Sequence, residues 1–170
     1  MGLLLAVQLR GTVNLPVAVR RTLRLLRLGR RFRAALVPDT PAHRGMLRRV
    51  RSYVAWAPAD KQVVKRLLQT RGPHTSQPLE QLGYRDLDEL ADALLRGKMH
   101  ARQLKPFRTT FALAPPRGGF RRSTRRPASV GGVLGENPRL AQLIERMLPV
   151  AASLGDAADF KSRGQSVVKG

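Results

Sequence analysis

Apolar positions along the chain follow two rhythms. Leu3 to Leu9 is a nearly unbroken apolar run, short enough for a strand and apolar enough to be buried. Asn14 and Pro16 then mark a turn, and Pro16 suits the first position of a helix. Val19, Leu23 and Leu26 recur at helical spacing as its core face, and Gly29 is the expected stop. Residues 33–37, Arg-Ala-Ala-Leu-Val, predict a second strand. In Asp39-Thr40-Pro41, Thr40 can cap a helix that Pro41 opens, with Met46, Val50 and Tyr53 on its apolar face. Residues 53–56 predict a third short strand. Strand, helix, strand, helix, strand within about 57 residues predicts an α+β domain, helices packed on a small sheet.

Beyond residue 58 the rhythm is mostly helical. Val63, Val64, Leu67 and Leu68 mark a helix over 60–71, ended near Gly72-Pro73 and followed by the polar stretch His-Thr-Ser-Gln-Pro. Asp86 and Glu89 form a capping-box-like pair before Leu87, Leu90, Ala91 and Leu94, and Gly97 ends that helix. Residues 107–113 predict a strand. Residues 114–135 are rich in Pro, Gly and Arg without apolar period and predict a loop or arm. Asn137-Pro138 starts a last helix with Leu140, Leu143, Ile144 and Met147. Residues 151–170 look like a frayed tail. The expected organisation is a core over 1–58, a mainly helical extension with a basic arm over 59–148, and a flexible tail over 149–170.

Charge changes this picture. The chain has 170 residues, 32 Lys plus Arg against 11 Asp plus Glu, and a net charge of +21. Such an excess repels itself in a compact state and asks for a polyanionic partner, either nucleic acid or an anionic membrane surface. Arginine supplies 26 of the 32 cations, and its planar fork grips phosphate at two points. A coding bias toward arginine would give the same excess, but the charge stands either way. It is also segregated: +11 over residues 1–58, +1 over 59–100, +8 over 101–150 and +1 over 151–170.

In the first helix Arg20, Arg24, Arg27 and Arg31 follow spacings of 4, 3 and 4, one stripe beside the apolar one, with Arg10 and Arg30 nearby. Arg44, Arg48 and Arg51 repeat the pattern in the second helix, with Arg49 adjacent. A merely solvated face mixes both signs, and these stripes contain almost no acid, so they are candidate phosphate contacts. The third candidate is Pro-Pro-Arg-Gly-Gly-Phe-Arg-Arg-Ser-Thr-Arg-Arg-Pro over 115–127. Arg117, Arg121, Arg122, Arg125 and Arg126 would meet phosphates. The glycines would let backbone lie close to a nucleic-acid chain, and Phe120 would stack on an unpaired base. Residues 114–130 are therefore expected to form an arm that is mobile in the free protein and ordered on RNA; the plainer alternatives are a basic loop without a partner, or a fixed hairpin packed on the domain.

Other chemistries find little support. Cysteine is absent, which excludes disulfides and thiolate metal sites, and His43, His74 and His100 lack metal-ligand spacing. No metal, cofactor or small-molecule substrate is expected. Gly-Gly-Val-Leu-Gly-Glu-Asn over 131–137 resembles a phosphate loop but lacks the Lys-Ser or Lys-Thr that would complete it. No serine sits in a nucleophile elbow, and Asp39 near His43 fits a helix start better than acid–base work. The first residues lack a basic leader, and Gln8 and Arg10 interrupt their apolar run, so neither signal peptide nor membrane anchor is expected. A soluble, cytoplasmic, non-enzymatic protein is the reading.

Three segments carry a resemblance: Val-Gln-Leu-Arg-Gly-Thr-Val-Asn over 7–14, residues 23–56 with Asp-Thr-Pro-Ala-His-Arg-Gly-Met, and Pro-Pro-Arg-Gly-Gly-Phe over 115–120. Together they resemble the L-thirty family of large-subunit ribosomal proteins, whose eukaryotic members are called L-seven. Residues 1–58 are similar to the core shared with bacterial members, and the extension to about residue 148 to the longer archaeal form. The resemblance implies a three-stranded antiparallel sheet with two helices, close to the ferredoxin-like βαβαβ plan. It implies binding to large-subunit rRNA near the 5S RNA, with neighbouring ribosomal proteins as further partners. The family pattern has Asn-His where Phe32 and Arg33 stand, which bears on a polar contact there but not on the fold. The alternative is another basic nucleic-acid-binding protein, chromatin-like or an RNA chaperone. No helix-turn-helix, zinc-finger or homeodomain pattern supports duplex DNA reading.

Overall fold

The computed structural model describes residues 2–71, 84, 86–97 and 110–148. Its elements are β1 (Leu3–Gln8), α1 (Val17–Leu25), β2 (Arg33–Pro38), α2 (Pro41–Arg49), β3 (Val54–Pro58) and α3 (Lys61–Arg71), then α4 (Leu87–Leu95), β4 (Thr110–Ala112), β5 (Ser123–Pro127), β6 (Gly132–Glu136) and α5 (Leu140–Met147). A short 3₁₀ turn, Ala128–Val130, joins β5 to β6. The turn expected at Gly72-Pro73, the polar stretch after it, residues 107–109 of the expected strand and the tail lie outside the described residues.

The expected three-stranded core is present. β1 lies between β2 and β3 and is antiparallel to both, with Ala6 opposite Ala35 on one side and Trp56 on the other. Where the extension is expected to be mainly helical with a basic loop, it also widens the sheet. β4 pairs antiparallel with β2, β6 pairs parallel with β3, and β5 pairs parallel with β6. The sheet has six strands in the order β4-β2-β1-β3-β6-β5. β5 is missed in the sequence because it is an edge strand, Ser-Thr-Arg-Arg-Pro, with four of its five residues exposed. It carries no apolar alternation for a period-2 reading to find, and arginine and proline are what an unpaired edge tolerates.

All six residues of β1 are buried. Side chains alternate across a strand, so each face of the sheet has its own core. Leu3, Leu5, Val7 and Leu9 pack with Val64 and Leu67 of α3, Leu90 and Leu94 of α4, and Ile144 and Met147 of α5. Leu4 and Ala6 pack with Leu23 and Leu26 at α1 and Leu47 and Val50 at α2. The result is three layers, with α1 and α2 on one face and the extension's helices on the other.

Local details depart from the predicted pattern in instructive ways. Thr40 caps α2 as expected, its hydroxyl accepting from the His43 amide at 3.3 Å, with Pro41 opening the helix. Leu47 rather than Met46 is the fully buried residue of α2; Met46 is half-buried. Asp86 stands at the N-cap of α4, but its side chain makes no capping hydrogen bond, so the expected capping box is not formed. α1 stops before Gly29. The Leu28 amide donates to the Leu23 carbonyl at 2.8 Å and the Arg27 amide to the Arg24 carbonyl at 2.9 Å. This is the Schellman arrangement, with Arg27 at the left-handed position, φ 58°.

The basic segment expected to form a mobile arm is tied down. The Arg146 guanidinium of α5 donates to the Arg117 carbonyl (2.6 Å) and to the Gly119 carbonyl (2.6 Å). The Arg117 amide donates to the Arg146 carbonyl (2.9 Å), and its guanidinium to the Leu148 carbonyl (3.0 Å). Gly118 and Gly119 take φ near 70°, which turns their backbone toward Arg146. Further on, a β-carbon at Gly132 would stand 1.8 Å from the Arg126 carbonyl oxygen, so only glycine fits where β5 crosses beside β6. Replacing Arg146 with Ala is expected to release this segment. An arginine-specific protease should then cut between Arg117 and Arg126 much faster than in the wild type. Equal cleavage rates would show that these hydrogen bonds do not hold the segment.

Candidate nucleic-acid interface

The topology collects the arginines at one end of the sheet. β1 ends there, β2 and β3 begin there, β4 ends there, and β5 and β6 begin there. The connections opening at that end are residues 9–16, 26–32, 50–53 and 113–122. They carry Arg10, Arg27, Arg30, Arg31, Arg51, Arg117, Arg121 and Arg122, and no acid. At the opposite end, residues 38–40, 58–60 and 136–139 carry Asp39, Asp60, Glu136 and a single base, Arg139. Among the described residues, these connections are therefore basic at one end of the sheet and mostly acidic at the other.

Not every predicted contact is equally available. Arg20 and Arg24 are exposed on α1, as the stripe requires. The stripe leaves the helix after Arg24, because Arg27 terminates α1 and Arg31 lies in the following loop; both remain exposed. Arg48 and Arg49 are exposed on the last turn of α2, and Arg51 follows its cap. Arg30, Arg121, Arg122, Arg125 and Arg126 are exposed. Sequence spacing misses Arg21, exposed beside Arg20, and with it Val17 and Leu25, exposed apolar residues one turn away to either side on the same helix.

Several site residues also have structural work. Arg10 donates to the Ser52 carbonyl at 3.2 Å and lies 5.2 Å over the Tyr53 ring. Arg31 donates to the Leu9 carbonyl at 3.1 Å and stands 4.6 Å over Phe32. Arg44 donates to both carboxylate oxygens of Asp39, at 2.5 and 2.7 Å. That bond holds the Asp39 carboxyl below its ordinary value and raises the guanidinium of Arg44. Phe120, expected to stack on an unpaired base, stacks on Phe32 within the protein, centroids 6.1 Å apart. The glycines expected to approach a nucleic-acid chain turn toward Arg146.

Phe32 itself adopts φ 63°, a left-handed conformation that Asn accepts more readily than an aromatic residue. Its amide donates to the Gln8 carbonyl (2.7 Å), and its carbonyl accepts from the Leu113 amide (2.8 Å). The ring contacts with Arg31 and Phe120 offset part of the strain that Phe introduces here.

The opposite layer is electrically quiet. Lys61 pairs with Asp92 at 2.6 Å, which lowers the Asp92 carboxyl. Lys65 pairs with Asp88, and Arg66 with Glu145 at 3.5 Å. These pairs tie α3 to α4 and α5 and cancel charge locally. Among the described residues no group of three or more His, Asp or Glu side chains gathers as a metal site, and no helix is long and apolar enough to cross a membrane.

Fold and charge thus define a class: a basic, three-layer α+β protein presenting an acid-free arginine surface. Comparison with known proteins narrows it. The family model described as ribosomal protein L30p/L7e matches residues 4–54. The large ribosomal subunit protein uL30 of Nitrosopumilus maritimus is 38% identical over 150 residues, covering 85% of this chain and 97% of its own. The uL30 of Cenarchaeum symbiosum is 38% identical over 86% of this chain and 99% of its own, and that of Aeropyrum pernix 38% over 87% and 100%. The chain belongs to the ribosomal protein L30p/L7e family, a family of large-subunit proteins. It is a structural ribosomal protein rather than an enzyme, and its place is the ribosome.

The strained helix stop offers a test of what the arginine at position 27 costs. Replacing Arg27 with Gly removes a left-handed non-glycine residue and is expected to raise unfolding stability by about 1 kcal/mol. Denaturant unfolding should show a higher midpoint with unchanged slope. An unchanged or lower midpoint would mean that the Arg27 side chain returns more than its backbone strain.

Proposed function

We propose that the chain is a structural constituent of the large ribosomal subunit that binds rRNA directly. The contacts assigned are the exposed arginines of α1 and α2 and those of the arginine end of the sheet. The observation that carries this reading is the acid-free gathering of Arg10, Arg27, Arg30, Arg31, Arg51, Arg117, Arg121 and Arg122 at one end. Cations so placed neutralise phosphates of RNA segments that would otherwise repel, which lets those segments pack together. Such contacts position the protein without reading bases. Arg125 and Arg126 extend the surface along the edge strand. Phe120 has an indirect role, since it packs on Phe32 and holds the loop bearing Arg121 and Arg122 against the core. The neutral α3–α4 layer faces away from this surface and suits neighbouring ribosomal proteins or solvent. The 5S RNA is a further candidate partner for the same surface.

The reading also has the chain as an rRNA-binding core over 1–58, carrying an extension over 59–148 that adds to the basic surface, and a separate tail. A chromatin-like role is disfavoured by the family and by the mixture of loops and helix ends that forms the surface. A duplex-reading protein presents one helix to a groove.

Changing Arg20, Arg24 and Arg27 together to Gln tests the assignment of α1. All three are exposed, so the variant is expected to melt close to the wild type. Its affinity for large-subunit rRNA fragments should fall, with a shallower dependence on salt. A variant that binds normally but melts far below the wild type would make these arginines structural.

A further inference from the structure

Between the end of α2 and the β5–β6 pair lies a half-open cleft of about 590 Å³. Arg48, Arg51 and Ser52 form one wall, and Arg125 and Ser129 the other. The first wall belongs to the segment that the family model matches, residues 4–54, and the second to the extension. All three arginines are exposed, and among the described residues none of their guanidinium groups has an acid or hydrogen-bond partner. Arg44, one turn before Arg48, is by contrast paired with Asp39. The cleft has one acid, Glu136, which lies at the end of β6 toward the acidic end of the sheet.

Three unpaired guanidinium groups facing one concavity raise its potential and concentrate anions there. Their planar forks match the paired oxygens of a phosphodiester, and the hydroxyls of Ser52 and Ser129 add neutral donors. The cleft is continuous with the arginine end of the sheet, because Arg51 belongs to both. A polyanionic chain lying on that end can therefore enter it, and its half-open form suits a strand passing through more than an enclosed ion. Glu136 repels phosphate at the far end and so limits how deep the strand runs.

We propose that this cleft grips one stretch of rRNA sugar–phosphate backbone, so that α2 of the core and β5 of the extension hold the same strand. The inference rests on the rRNA-binding reading above and adds a specific site to it. It also gives the edge pair β5–β6 a function. The pair supplies the second wall, and bound RNA would brace the bulged edge of the sheet against the core.

The test uses the full-length protein, large-subunit rRNA transcripts and three variants: Arg125→Gln, the combined Arg48→Gln/Arg51→Gln, and Ser129→Trp. The last fills the cleft without altering charge. Melting temperature serves as the folding control, and all the substituted residues are exposed. Each charge variant is expected to lower the slope of log affinity against log salt by about 0.7 to 0.9 for every phosphate it leaves without a cation. Ser129→Trp is expected to weaken binding at every salt concentration. In backbone-cleavage footprinting, all three should lose protection at the same short run of nucleotides. Unchanged slopes and footprints in all three variants would overturn the proposal. If an acidic peptide binds the wild type in an Arg125-dependent way while the RNA footprints stay intact, the cleft is a protein site and the proposal is equally overturned. The Arg20/Arg24/Arg27 variant separates the two levels. Weakened RNA binding there, with none in the cleft variants, removes the cleft alone. A wild-type protein without salt-dependent RNA binding removes the broader reading.

Discussion

Strand β1 can be apolar at nearly every position only because the sheet it centres is covered on both faces. Most of the molecule's other features depend on that constraint. With both faces buried, charge can sit only on the outer sides of the helices, along the edge strand and in the connections at the two ends of the sheet. The chain carries +21, and strand direction sorts this charge. Among the described residues, four acid-free connections open at one end, and the acids Asp39, Asp60 and Glu136 lie at the other. The two-sided core holds the chain together while the arginine end repels itself. That repulsion is screened over about 8 Å at physiological ionic strength, so closely spaced arginines still feel one another.

Two backbone positions show how the arginine end is assembled at a local cost. Arg27 ends α1 in a left-handed conformation where glycine would be easier, and Phe32 occupies a similar conformation that Asn accepts more readily than an aromatic residue. Arg27 keeps a cation at the turn between α1 and β2. Phe32 gains a ring partner in Phe120, and through it couples the core to the extension's loop. Arg146 completes the coupling by holding the carbonyls of Arg117 and Gly119. The extension thereby contributes a shaped part of the basic surface.

How much of this was legible in the sequence depends on whether the signal was local. β1, β2 and β3, the two core helices, the Thr40 cap and the arginine stripe through Arg24 all follow from composition and spacing. The family resemblance follows from short motifs. The second layer of helices was visible as helices but not as a cover for the sheet's other face, since periodicity does not say which face a helix meets. β5 and β6 were hidden because one is an exposed edge strand and the other begins at glycines that a propensity reading assigns to loops. The composition of 114–130 predicts a mobile arm because the segment's anchors are tertiary. Arg146 lies 29 residues from Arg117, and Phe32 lies 88 residues from Phe120, so neither contact leaves a mark in the segment itself. Gly29 drew the end of α1 too late, because the true stop used an arginine in a glycine's conformation. Arg21 and the cleft beside Arg125 are not legible in the sequence, since exposure and convergence on a concavity have no one-dimensional signature.

On the function proposed above, this protein joins the ribosome by matching fixed arginines to RNA phosphates. The most direct test is a salt titration of the wild-type protein on large-subunit rRNA fragments. Log affinity should fall linearly and steeply with log salt, by about 0.7 to 0.9 for each phosphate neutralised. A flat dependence would contradict it, because binding that releases no counterions is not made by these arginines.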